Sequence, residues 1–322
     1  MELIQLAQWI GILVAALFVL VRGADLFVEG AKQIGRSFGM SSFAIGVIIV
    51  GLGTSLPELA SSIAAVMAEW QGVPNATEIV VANAVGSNIT NILLIVGVLA
   101  LLSGPVMINQ NLLKTELPIF FIATVHFVAS VYDGVIDRVE ALLLFGTFCA
   151  YMWYLFSGSD VPTEELAVKN VDNGVTVRSV VFMILGIAAV LLGAHFTVEM
   201  AVNIAAGLLI PIGLVSILAI AIGTSLPELF VSLQAVKSKE VDLAIGNIFG
   251  SNAFNILMVV GIPGLLIPLK AGEVVMGLGL GVLIAASLIL FVSGLARQIQ
   301  RWEGVMMLLF FSFFLVKLVA FV

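Results

Sequence analysis

Hydrophobic residues run along this chain in blocks of about 20, the length that crosses the hydrocarbon core of a bilayer, and short polar stretches separate the blocks. The pattern predicts ten transmembrane helices, at about 4–31, 41–68, 78–102, 115–132, 138–157, 179–205, 210–236, 242–267, 273–294 and 303–321. The longest polar stretch, 158–178, holds Asp160, Glu164, Glu165, Lys169, Asp172 and Arg178 and falls between the fifth and sixth blocks. The chain therefore reads as an all-α integral membrane protein in two five-helix halves, 1–157 and 179–322, joined by the linker 158–178.

The halves share a pattern as well as a count. Gly23-Ala24, Glu29 and the heptapeptide Gly53–Leu59 (GTSLPEL) return as Gly193-Ala194, Glu199 and Gly223–Leu229, all at an offset of 170. A second block, Asn83–Leu93, returns as Asn247–Leu257 at an offset of 164; a longer hairpin around Trp70–Thr77 accounts for the six missing residues. The repeat regions span 51–97 and 221–261. Five spans per half is an odd number, so the second half must enter the membrane from the opposite side. The expected fold is two inverted-topology five-helix repeats, an architecture common among secondary transporters.

Composition narrows this picture only slightly. The chain is 61% hydrophobic and 10% charged, against about 25% charged in soluble proteins, which leaves no room for a sizeable soluble domain. Met1–Leu20 has no Lys or Arg and no small-residue cleavage site, and reads as a first transmembrane helix rather than a signal peptide. One cysteine, Cys149, excludes an internal disulfide and a Cys-rich metal site and reads as a packed apolar residue. A net charge of −7 makes nucleic acid an unsuitable partner. Loop charges set orientation. Lys32, Arg36, Lys114, Lys169, Arg178, Lys237, Lys239, Arg297 and Arg301 follow odd-numbered spans, whereas Arg138, Lys270 and Lys317 lie on the other side. The side with nine is expected to be cytoplasmic, together with the 158–178 linker, and both termini extracellular, in a multi-pass plasma-membrane protein.

The repeated heptapeptide carries the chemistry. A carboxylate at a transmembrane helix centre costs about 2.5–3.5 kcal/mol and marks function by default. Pro57 and Pro227 remove a backbone donor and free carbonyls about one turn back, near Leu52–Gly53 and Ile222–Gly223. Such backbone is tolerated at membrane depth only where it lines a cavity or is buried in protein. Thr54, Ser55 and Glu58 fall within one turn, as do Thr224, Ser225 and Glu228, and the second block adds Ser87 with Asn91 and Ser251 with Asn255 at a spacing of four. These hydroxyl, amide, carbonyl and carboxylate oxygens suit hard cations such as Ca²⁺ and Na⁺. If the repeats meet at the bilayer midplane, Glu58 and Glu228 face each other. A divalent cation, or several monovalent ones, removes their repulsion. Two Na⁺ for one Ca²⁺ would be neutral, and a third Na⁺ would make exchange electrogenic.

The motif pairs GTSLPE and GSN-x-x-N resemble the two alpha repeats of the sodium/calcium exchanger family, within the cation/Ca²⁺ antiporter superfamily, in its short prokaryotic form. The resemblance covers essentially all 322 residues. It implies Na⁺-driven Ca²⁺ antiport by alternating access, with Na⁺ and Ca²⁺ as transported ions, no cofactor, no enzymatic activity and no obligate protein partner beyond the bilayer. It implies Thr54, Ser55, Glu58, Ser87, Asn91, Thr224, Ser225, Glu228, Ser251 and Asn255 as ligands, with the backbone carbonyls of Gly51 and Ala221 completing the Na⁺ sites. Spans one and six would be the sliding element. Asn255 stands where some archaeal members and the potassium-dependent members carry Asp; it keeps the site at two carboxylates and argues against K⁺ co-transport. Ala82 stands where the second copy has Gly246. The 158–178 linker is too short for the regulatory domain of animal exchangers.

Other readings follow from the same residues. A proton-coupled exchanger of Ca²⁺ or another divalent cation would share the fold. A channel usually repeats around an oligomer axis rather than inverting within one chain, and no paired base recurs near Ser55 or Ser225 to support an intramembrane hydrolase. The GSN-x-x-N blocks also suit small-residue helix packing. Glu29 and Glu199 suit a structural or vestibule role. Asp25 and His195 are equivalent in position but not in type, and His126 reads as a packing histidine.

Overall fold

A computed structural model describes residues 3–103, 106–107, 116–156, 175–208 and 222–321. The 158–174 part of the linker, the start of the expected seventh span and Ala221 lie outside them. We label the helices α1 Leu3–Ser37, α2 Ser42–Trp70, α3 Glu78–Leu102, α4 Glu116–Ser130, α5 Arg138–Phe156, α6 Val177–Gly207, α7 Leu226–Lys237, α8 Val241–Leu266, α9 Val275–Leu295 and α10 Arg301–Phe321. Eight of these are long and apolar enough to cross a membrane, and this is a multi-pass, mostly helical membrane protein. The described α4 and α7 are shorter, at 15 and 12 residues.

The helices sort by burial. Every residue in the apolar window of α8 is buried, and 72% of that of α3; the figures for α1 and α6 are 28%. The complete burial of that window makes α8 the core helix, even though it carries buried Asn247, Ser251, Asn252 and Asn255. Glycine allows its backbone to approach α2. A Cβ on Gly46 would collide with the Leu243 carbonyl, one on Gly246 with the Phe43 carbonyl, and one on Gly51 would lie 3.1 Å from the Ser251 nitrogen. At the periphery α1 and α6 pack against each other antiparallel. A Cβ on Gly23 would come 2.7 Å from the Val190 nitrogen, and one on Gly193 2.7 Å from the Leu20 nitrogen. Small residues at such seams let helices pack closely without a hydrophobic drive from the solvent.

Contacts between connections fall into two groups. In one, β1 (Val106–Met107) pairs antiparallel with β4 (Gln298–Ile299). In the same group Glu240, just before α8, accepts from Lys32 (2.9 Å), Arg36 (2.7 Å) and Ser42 Oγ (2.9 Å). Partial burial alone would raise the Glu240 carboxyl, but these donors and the Arg36 charge outweigh it and hold it below the ordinary value. In the other group, β2 (Val135–Ile136) pairs antiparallel with β3 (Leu269–Lys270), and Lys270 donates to Asn75 Oδ1 at 3.2 Å. Each ribbon joins a connection from the first half of the chain to one from the second.

Three details depart from the sequence reading or extend it. Cys149 is exposed on the outer side of α5 rather than packed, because the inward positions of that helix fall to Ala141, Leu144 and Tyr151. The Tyr151 hydroxyl donates to Glu116 at 2.7 Å, so the buried acid that opens α4 has a partner on α5. His126 is half-buried with Nδ1 3.1 Å from Thr147 Oγ1, a packing role.

Candidate ion site

The site begins with a break in α2. The helix is wide over Ile45–Gly51 and regular for Leu52–Thr54; it leaves helical geometry at Ser55 (φ −85°, ψ 1°) and resumes at Leu56 with Pro57 in its first turn. Ser225 has φ −89° and ψ 1° ahead of Pro227, the same break in the second copy. The cause is local: Pro57 and Pro227 have no N–H to return to Gly53 and Gly223. The break places Glu58 and Glu228 in the first turn of a new helical segment, where free backbone N–H groups and the helix dipole favour a negative charge.

The two breaks come together. Glu58 and Glu228 are close enough to repel, with Thr224 lying towards Glu58, and Thr54 and Ser251 towards Glu228. None of these hydroxyls closes a hydrogen bond to either carboxylate. Around them α3 supplies Ser87 and Asn91, and α8 supplies Ser251 and Asn255; Asn91 lies in a widened stretch of helix, Thr90–Ile95. Direct bonds cross between the halves. Ser87 Oγ lies 3.1 Å from Thr224 Oγ1, Thr54 Oγ1 lies 3.3 Å from Ser251 Oγ, Ser251 Oγ donates to the Gly51 carbonyl at 3.4 Å, and Asn88 Nδ2 donates to the Asn252 carbonyl at 3.0 Å.

What the site lacks is as informative as what it holds. Among the described residues fourteen buried side-chain nitrogen and oxygen atoms have no hydrogen-bond partner, and ten belong to Ser55, Glu58, Asn91, Ser225, Glu228 and Asn255. Each such atom costs about 1–3 kcal/mol, more when charged, and most of that cost falls on the residues of the two repeated motifs. Two carboxylates among neutral oxygens, with no group of three or more His, Cys, Asp or Glu among the described residues, form a hard-cation donor set. Of the ten expected side chains, the structure links Thr54, Ser87, Thr224 and Ser251 with Glu58, Glu228 and the Gly51 carbonyl, and buries Ser55, Asn91, Ser225 and Asn255 on the same four helices; Ala221 lies outside the described residues.

Other sequence candidates stay apart. Glu29 is exposed and accepts from its own neighbour Gln33 at 2.6 Å; Glu199 is 3.8 Å from His195, both on an exposed face of α6. Asn83 and Asn247 open the two copies of the repeated block but are not among the expected ligands. Asn247 is fully buried, donates to Ser232 and accepts from Thr54. The repeat itself was the signal that could have found them.

Comparison with known proteins matches this arrangement. Residues 8–157 and 178–320 match the family described as sodium/calcium exchanger protein. The sodium/calcium exchanger MaX1 of Methanosarcina acetivorans is 34% identical over 95% of this chain and 97% of its own length. The putative antiporter CaxA of Alkalimonas amylolytica is 36% identical over 93% and 97%. Among solved structures, the sodium-calcium exchanger NCX_Mj soaked with zero Na⁺ and Ca²⁺ superimposes with a TM-score of 0.79 at 33% identity, covering 96% of this chain and 98% of that one. Fold, site and relatives together define a membrane transporter of the cation/Ca²⁺ antiporter class. Within that class, the chain belongs to the sodium/calcium exchanger family.

Proposed function

We propose that this protein exchanges Na⁺ for Ca²⁺ across the plasma membrane by alternating access. Its ten transmembrane helices form two inverted five-helix repeats, 1–157 and 179–322, with 158–178 a cytoplasmic linker and both termini outside. The two groups of contacting connections support this topology, since each group draws only on connections that alternation assigns to one face. The names of the relatives, exchangers and an antiporter, support transport over enzymatic chemistry.

The observation that carries the reading is the set of buried, unpartnered oxygens and amides around Glu58 and Glu228. Thr54, Ser55, Ser87, Asn91, Thr224, Ser225, Ser251 and Asn255 replace water around the ions, and the Gly51 and Ala221 carbonyls complete the Na⁺ positions. Glu58 and Glu228 supply two negative charges. One Ca²⁺ neutralises them, and so do two Na⁺, so the same oxygens serve either cargo but not both at once. A third Na⁺ makes the cycle electrogenic. Asn255 adds no third charge, and K⁺ is not required.

The test is ⁴⁵Ca²⁺ uptake into proteoliposomes loaded with Na⁺, against K⁺ or choline inside. Uptake that needs an outward Na⁺ gradient and disappears in Glu58→Gln and Glu228→Gln is the expected result. Uptake driven by a pH gradient and indifferent to Na⁺ would replace it with proton coupling.

A further inference from the structure

Asn83 and Asn247 stand at the same place in the two repeats, 164 residues apart. Asn247 is fully buried on α8. Its Nδ2 donates to Ser232 Oγ at 2.9 Å and to the Glu228 backbone carbonyl at 3.4 Å. A carbonyl only accepts, so this contact fixes which way the amide faces and turns Oδ1 towards α2. Oδ1 there accepts from Thr54 Oγ1 at 3.2 Å. The Thr54 hydroxyl also faces the Val50 carbonyl at 3.1 Å and the Gly51 carbonyl at 3.4 Å. All three neighbours are acceptors, so the one hydroxyl proton is held on their side, and the oxygen lone pairs are left for Ser251 or for a cation.

The first repeat holds the same four residue types differently. The image of Ser232 is Ser62, at the 170 offset, and Ser62 Oγ is buried without a partner. Asn83 Nδ2 donates instead to Ser61 Oγ at 3.2 Å, and Asn83 Oδ1 faces only Ser87, at a stretched 3.5 Å. Thr224, the image of Thr54, is half-buried and meets Ser87. Asn247 reaches across to the other half of the chain, whereas Asn83 bonds only within its own half.

We propose that Asn247 is a positioning residue of the site. Its amide links the backbone at Glu228 to the Thr54 hydroxyl across the two halves and aims the Thr54 lone pairs into the cavity. Asn83 is its counterpart, released in this conformation and engaging Ser62 and Thr224 when the other repeat closes. The proposal rests on the exchange reading above and extends it. The site is pseudo-symmetric in composition but asymmetric in grip, and the grip passes from one asparagine to the other as access alternates.

The experiment measures Ca²⁺ half-saturation and maximal rate in proteoliposomes, alongside the Ca²⁺-dependent thermal shift of the purified protein. Losing one directed hydrogen bond corresponds to about a tenfold change in affinity, so Asn247→Ala should raise half-saturation about tenfold while maximal rate falls much less. Thr54→Val should do the same, and the double variant should be no worse than the worse single one, because both remove one interaction. Asn83→Ala should be non-additive with Thr224→Val in the same way. If Asn247→Ala does not fold, Ser232→Ala removes only the amide's donor partner and should still raise half-saturation by about threefold. Additive effects, or a loss confined to folded yield or maximal rate, would overturn the positioning role alone. A wild type with no Ca²⁺-dependent shift and no uptake would overturn the exchange reading, and this proposal with it.

Discussion

The core helices α2 and α8 and the peripheral pair α1 and α6 are both drawn together by glycines, yet the two seams do different things. At the α2–α8 seam, backbone approaches backbone and buried polar side chains crowd the gap, many with no partner. At the α1–α6 seam the glycines meet backbone and small residues, and the polar side chains Asp25, Glu29, His195 and Glu199 lie away from it. A seam that must present ligands within a few tenths of an ångström needs cross-bonds that fix register. The α1–α6 seam carries no such cross-bonds among the described residues, and its surfaces are smooth. The two regions touch at the site's edge, where a Cβ on Gly53 would lie 2.8 Å from the Phe27 ring of α1 and one on Gly223 2.8 Å from Val198 of α6. The first glycine of each heptapeptide is thus where the outer pair comes closest to the broken helices.

This contrast can be broken from the core outwards. Replacing Glu58 or Glu228 by Gln leaves the remaining ligands without one of two charges. That should cost about 3 kcal/mol of cation affinity, more than a hundredfold. It also removes the repulsion between two buried carboxylates, so the melting temperature without Ca²⁺ should hold or rise while the Ca²⁺-induced shift disappears, as read by intrinsic fluorescence. Gly246→Ala and Gly46→Ala force a methyl against a facing carbonyl with packed protein on both sides. Overpacking of this kind costs about 1–3 kcal/mol, and folded yield on size-exclusion chromatography should fall. Gly23→Ala and Gly193→Ala push apart a pair that has open space on its outer side. They should fold, and ⁴⁵Ca²⁺ uptake should slow. Equal loss of yield in both sets would erase the distinction between seams.

Glu240 gives a smaller, pH-dependent effect. Its carboxyl is held below the ordinary value, so its stabilisation is present above the normal carboxylate range, about pH 4.3, and is lost as pH falls through the lowered value. Acidification should cost the wild type about 2–4 °C more in melting temperature than Glu240→Gln. Cys149→Ala should change neither stability nor uptake, because surface substitutions stay within about 0.5 kcal/mol and Cys149 packs against nothing in the core.

The long apolar blocks were legible because eight of them form helices long and apolar enough to cross a bilayer, and the two heptapeptides because Pro and Gly recur with the acid at an offset of 170. Ser55 and Ser225 as the break points follow from that, since a proline dictates where its helix can restart. The asymmetry between Asn83 and Asn247 was not legible: identical letters carry no information on which repeat is engaged. The Glu240 cluster draws on Lys32, Arg36 and Ser42, about 200 residues away, and no local pattern announces such a pairing. Two-residue strands have no periodicity to detect. Cys149 was misplaced because an apolar residue on a membrane helix suits the lipid side as well as the core.

The two ribbons set a schedule for biosynthesis. β1 at Val106–Met107 finds its partner only at Gln298–Ile299, close to the end of the chain. At about 5–20 residues per second, that strand waits roughly 10–40 s after leaving the ribosome. During the first part of that interval the nascent first half carries one acidic motif, two unpaired ribbon strands and no α8 to pack against. The helices enter the membrane in order, but the core waits for α8, the β2–β3 ribbon for Lys270 and the β1–β4 ribbon for Ile299. A chain cut short before residue 298 would therefore keep β1 without its partner.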